Sequence, residues 1–161
     1  MPGICIPTDI PRITEPAFLS SPCCYVVNGW DLTTGAEVRG ASDLIPTVPG
    51  RRSNEWREDE TSYELRIIMV GDVDSAGDDR GVGGGEGLEL TLNELRFFVV
   101  SPGVVESTWD LTMPSGAVRT AGVQVKRLRA GVVVEAPDWT GVVGMAMTAT
   151  MSILIPSGGF A

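Results

Sequence analysis

Asp72, Asp74, Asp78 and Asp79 fall close together with Gly77 among them, and alternate aspartates followed by glycine are how a calcium loop wraps a hard cation. The pattern fails at two required places. Ala76 stands where an Asp or Asn ligand belongs, and Gly83 stands where the bidentate glutamate belongs. A solvated acidic loop with no bound metal is the expectation. Gly81, Gly83, Gly84, Gly85 and Gly87 precede a helix-patterned stretch, where a phosphate-cradling loop would sit. No Gly-Lys-Ser/Thr follows them, and Glu86 and Glu89 would meet a phosphate with like charge, so neither a nucleotide nor any other cofactor is expected.

Cys23 and Cys24 offer a nucleophile only if a base lies within reach. The chain has no histidine, which removes Ser-His-Asp and Cys-His catalysis and histidine-ligated metals together. Cys5 makes the cysteine count odd, and a bridge between the adjacent Cys23 and Cys24 would need strained geometry, so reduced thiols are expected. No pair among the many carboxylates is singled out by spacing for acid and base roles, and the protein is not expected to be an enzyme.

The elements that must position these residues read mainly as strands. Tyr63, Leu65, Ile67 and Met69 alternate with Ser62, Glu64 and Arg66, the two-residue period of a half-buried strand that ends at Gly71. Val143, Met145, Met147, Ala149, Met151, Ile153 and Ile155 alternate with Gly144, Ala146, Thr148, Thr150 and Ser152 in a strand of roughly 40 Å. Val105 to Met113 and Ala117 to Arg129 flank a Pro114-Ser115-Gly116 turn, and Val132 to Ala136 can continue the second strand past Gly131. One helix is predicted near 87–100, because Leu88, Leu92, Leu95 and Val99 lie on one helical face and Ser101-Pro102-Gly103 closes it. Asn28-Gly29 and Thr34-Gly35 predict a hairpin after Cys24.

Five prolines, Pro2 to Pro22, exclude a helix or a central strand from the first 22 residues. They predict an extended arm over 1–22 and a single β-rich domain over 23–161. Ile4, Ile6, Ile10 and Phe18 make that arm apolar enough to dock, and a neighbouring subunit is the expected dock. Residues 44–60 predict an exposed loop or long hairpin in which Arg51, Arg52, Arg57 and Trp56 are candidates for contacts between subunits. Trp30, Trp109 and Trp139 are expected in the core.

With 161 residues, 43% hydrophobic and 20% charged, the chain is long enough to bury a two-layer core. Its 12 basic and 21 acidic residues give a formal charge of −9, which opposes nucleic-acid binding and would let DNA slide past without sticking if acidic side chains met it. No stretch is long and apolar enough for a membrane helix, and the N-terminus has no secretion signal, so no membrane role is expected.

Val27-Asn28-Gly29-Trp30, Leu44-Ile45-Pro46 to Val48-Pro49-Gly50-Arg51-Arg52, Ile67 to Asp74, the helix from Leu88 to Val100 and the closing Ile153-Leu154-Ile155-Pro156 together resemble tail proteins of long-tailed phages that infect actinobacteria. The resemblance spans roughly residues 24–156. It implies a tail-tube fold, in which two packed antiparallel sheets, sandwich- or barrel-like, are flanked by one helix and a long loop or hairpin reaches the neighbouring ring. It also implies a virion protein, assembled in the host cytoplasm, whose stacked hexameric rings meet other tail proteins and pass DNA without binding it. Glu64 and Arg66 on one strand, and Thr148, Thr150 and Ser152 on another, are then candidates for the channel lining. The same fold serves distal, minor and terminator proteins of the tail, and a non-viral ligand-binding β-sandwich is a further alternative, motivated by the four tryptophans.

Overall fold

β8 (Thr61–Val70) and β11 (Met145–Ile155) pair antiparallel without a break from Ala146↔Val70 to Ile155↔Thr61. Their alternation explains the match. Leu65, Ile67, Met69, Met151 and Ile153 turn to one face and are buried, while Glu64, Arg66, Thr150 and Ser152 turn to the other. Each large apolar side chain so buried contributes about 1.5–3 kcal/mol relative to exposure.

These strands lie inside one seven-stranded antiparallel sheet seen in a computed structural model that describes residues 4, 6–34, 38–39, 42–44, 51–53, 57–58, 61–82, 84–100, 107–137, 140 and 144–161. The remaining members are β1 (Arg12–Glu15), β2 (Ser20–Ser21), β3 (Cys24–Val26), β9 (Ser107–Thr112) and β10 (Val118–Glu135), in the order β1-β9-β10-β11-β8-β3-β2. The class is mostly β with a single helix, as expected. The two layers are limbs of one continuous sheet, because β10 pairs with β9 through its first third and with β11 through the rest. Edge strands β1 and β2 are joined by a single 3-10 turn, Ala17–Leu19, so the sheet curls until it is nearly a barrel. Ile13, Trp109, Leu111 and Val123 from one limb share one core with Leu65, Met69, Met151 and Ile153 from the other.

β10 turns this corner by two irregularities, between Val125 and Arg127 and between Ala130 and Val133. Gly131 lies at the second. A Cβ there would overlap the Oγ1 of Thr148, and that hydroxyl accepts from the Val132 N–H at 3.2 Å and donates to the Val132 carbonyl at 3.4 Å. Thr148 thus pins the bulge.

Two expectations are corrected. The described part of segment 1–22, namely Ile4 and residues 6–22, is not a free arm: β1 and β2 belong to the sheet, the Ile4 N–H donates to the Pro22 carbonyl at 2.7 Å, and Ile4, Ile13 and Leu19 are buried. Proline excluded only central strands, and these are the two edges. Nor is Asn28-Gly29 a hairpin turn. A 3-10 helix, Gly29–Thr33, follows β3, and the Asn28 side chain extends the ladder by donating to the Glu64 carbonyl at 2.7 Å and accepting from the Arg66 N–H at 2.8 Å. Gly29 is required because a Cβ would overlap the carbonyl of Pro11. Trp109 is buried as expected, whereas Trp30 is half exposed on the 3-10 helix; Trp139 lies outside the described residues.

The helix α1 (Gly84–Val100) begins three residues before its predicted start. Leu88, Thr91 and Leu95 face the sheet, and the backbones of Gly71 and Gly87 lie against each other, so that a Cβ on either would overlap the other's chain. Gly85 has open space around it. Gly87→Ala is therefore expected to lower stability by about 3 kcal/mol, since the clash is with backbone. Gly85→Ala should be neutral or stabilising by up to about 1 kcal/mol. Thermal unfolding of the two variants checks this, and equal midpoints would sink the close-packing account.

Candidate functional site

Three surfaces carry the residues singled out from the sequence. The first is a pair of short two-stranded sheets, which lie between the 3-10 helix and β8 in the chain and are together called the ribbon. Its outgoing strands are β4 (Val38–Arg39) and β5 (Ser42–Leu44), and its returning strands are β6 (Arg51–Ser53) and β7 (Arg57–Glu58), with β4 paired to β7 and β5 to β6. Register sets Arg39 opposite Arg57, Asp43 opposite Arg52 and Leu44 opposite Arg51. No ribbon strand is hydrogen-bonded to the seven-stranded sheet, and among the described residues each packs chiefly on its own partner. Candidates Arg51, Arg52 and Arg57 are thus on the returning limb, while Trp56 lies outside the described residues.

The N-terminal candidates are placed elsewhere. Ile4 is buried in the chain's own core, while Ile6, Ile10 and Phe18 pack against that core and keep part of their surface exposed. The correction has a simple cause: apolar content signals burial without saying in whose core.

The second surface is the outward face of β8, β11 and β10, which brings together all five candidates for a channel lining. Arg66 pairs with Thr150, Glu64 with Ser152, and Thr148 with Ile68. Thr150 is in turn opposite Arg129, and Ser152 opposite Arg127. Sequence reasoning missed Arg127 and Arg129. The signal was in the alternation of β10, but the bulges break its phase, so which side chains share a face with Arg66 could not be counted from spacing. A cleft of about 480 Å³ borders this face, lined by Val27, Arg66, Ile68, Pro137, Thr148 and Thr150. The face is not the acidic wall that the net charge suggested.

Third is the loop after β8. Asp74 Oδ1 accepts from the N–H groups of Ala76 and Asp78 at 2.9 and 3.0 Å, and Asp79 Oδ1 accepts from the Gly81 N–H at 2.8 Å. The carboxylates organise backbone. Among the described residues no group of three or more His, Cys, Asp or Glu side chains is placed to hold a metal ion. Arg80 staples the loop to the helix through the Val73 carbonyl, Glu94 Oε1 and Thr91 Oγ1, at 3.0, 3.0 and 3.1 Å, and the Thr91 hydroxyl donates to the Val70 carbonyl at 2.9 Å. Asp78, Asp79, Glu86 and Glu89 remain exposed around this unit.

Cys23 and Cys24 are both buried and unbridged. Burial pushes the Cys23 thiol up, against a partial lowering by the Ser21 hydroxyl, and burial pushes the Cys24 thiol far up, reinforced by its neighbour Cys23. Both stay protonated at neutral pH and so are poor nucleophiles. Trp109 is buried with its Nε1 donating to Ser107 Oγ at 2.9 Å, which leaves no stacking face for a sugar or base. No helix among the described residues is long and apolar enough to cross a membrane.

No protein-family model matches the chain, and no curated protein matches it at a significant level.

A water-soluble thiol reagent at pH 8 should therefore label at most one of the three cysteines in the native protein and all three after denaturation. Rapid labelling of two native thiols would contradict the buried, protonated state.

Proposed function

We propose that this protein is a structural component of a phage virion, one whose copies self-assemble into stacked hexameric rings that form the tail tube and pass DNA without binding it. It acts without catalysis, cofactor or metal, and it assembles in the host cytoplasm before joining other tail proteins. The observation that carries this reading is the ribbon of β4 to β7. A two-stranded ribbon that, among the described residues, is not hydrogen-bonded to the main sheet and packs chiefly on itself is marginal in water, so chain that forms one has a use for a partner. A ribbon that leaves its own domain is what the resemblance to phage tail proteins leads one to look for between β3 and β8.

Supporting it, the nearly closed sheet with one flanking helix agrees with the fold that the same resemblance implies. The ring number and the virion location rest on the resemblance. A single-ring role, as a distal or terminator protein of the tail, is the second reading. What favours it is the N-terminal segment, which is spent on the chain's own sheet and so supplies no second connector between rings.

Negative-stain electron microscopy and a sizing column on concentrated protein test the proposal. Rings or hollow filaments are expected for the intact chain. Removing residues 42–53, so that β4 and β7 are joined by a short turn, should leave a folded monomer with an unchanged thermal midpoint and no rings. An intact chain that stays monomeric, or a shortened chain that assembles as well, would overturn the reading.

A further inference from the structure

The outward face of β8, β11 and β10 gathers positive charge in a protein whose formal charge is −9. Arg66, Arg127 and Arg129 are exposed there, and Lys126 is exposed at the bulge beside Arg127, so four of the 12 basic residues lie on three adjacent strands. Arg66 and Arg129 flank Thr150 in one cross-strand row, while Arg127, Ser152 and Glu64 make the next, so three guanidinium groups share a face with one carboxylate. Among the described residues no ion pair neutralises them; the pair that is present, Arg80 with Glu94, belongs to the loop and helix.

Exposed negative charge collects on that other unit. Asp78 and Asp79 stand in the loop after β8, and Glu86 and Glu89 in the first turns of α1, all four turned to water. Two copies at −9 each repel on average, and screening over about 8 Å at physiological ionic strength reduces everything but contacts. What survives is the pairing of opposite local charges, which fixes orientation and register.

We infer that the basic face of β8, β11 and β10 docks onto the acidic loop and helix of a second copy of this chain. The inference rests on the assembly reading and adds the surfaces that orient it. The two surfaces are different, so the contact is heterologous and repeats head to tail, the geometry that closes rings or extends stacks. A second copy fits better than nucleic acid, because the overall acidic field repels a polyanion and four cations supply little counterion release.

The test is sedimentation velocity across a salt series on four proteins: the wild type, Arg127→Glu with Arg129→Glu, Glu86→Lys with Glu89→Lys, and all four substitutions together. Every altered position is exposed, so thermal unfolding should be unchanged. Wild-type association should weaken at least about tenfold from low to high salt, and each double variant should weaken it about as much at low salt. The fourfold variant, which keeps the formal charge at −9, should recover most of the loss. A fourfold variant as dissociated as the doubles would overturn the inference. So would a wild type whose association ignores both salt and substitution, though assembly itself would then stand. A wild type that is monomeric throughout removes both the inference and the assembly reading. Duplex DNA added in parallel should not bind; binding that the arginine substitutions abolish, with self-association intact, would make the face a nucleic-acid surface and refute the docking.

Discussion

Gly71 closes β8 and Gly87 lies in the first turn of α1, and their backbones touch with no space for a side chain. Much of the molecule is referenced to that contact. It sets how deeply Leu95 enters the core, brings Thr91 to the Val70 carbonyl, and gives Arg80 two partners on the helix and one on the loop. A single methyl group would have to push the helix away from the sheet, and with it the acidic loop whose own carboxylates are committed to backbone N–H groups. The glycine-rich run that might have suggested a phosphate cradle or a slack linker is, at Gly87, a close-packing device.

The clearest strands were legible because one face is buried along most of their length: Tyr63 to Met69 and Ala149 to Ile155 keep a period of two, whereas at the start of β11 Met145 is exposed and Ala146 is buried instead. The helix was legible from four apolar residues, and only its first turn, hidden in glycine, was not. What failed depended on long-range contact. Asn28-Gly29 has hairpin composition, yet the glycine answers to Pro11 and the asparagine to Glu64 and Arg66, partners that no local pattern can reveal. The Pro-rich start was read as reaching outward because apolar residues flanked by proline cannot form central strands; edge strands on the chain's own sheet satisfy the same constraint. Of the candidate surfaces, the five polar residues on β8 and β11 share a face as their alternation required, while Arg127 and Arg129 were obscured by the bulges of β10.

The chain has no histidine, Cys23 and Cys24 are buried and protonated, and Asp74 and Asp79 accept from backbone N–H groups. What it offers is shape and charge: a nearly closed sheet, two short strand pairs not hydrogen-bonded to it, and exposed groups of opposite charge on the strands and on the loop and helix. On the proposed account the sheet supplies rigidity, the ribbon supplies reach, and the charged faces supply orientation.

Hydrogen exchange of the ribbon amides in β4 to β7, followed at dilute and at assembling concentrations, tests the central claim most directly. The account predicts fast exchange in the dilute protein, because among the described residues those strands pack chiefly on one another, and strong protection on assembly while β8 and β11 stay protected throughout. Ribbon amides that exchange equally fast at both concentrations would contradict it, for a connector between subunits cannot remain open to water on both sides once its partner is in place.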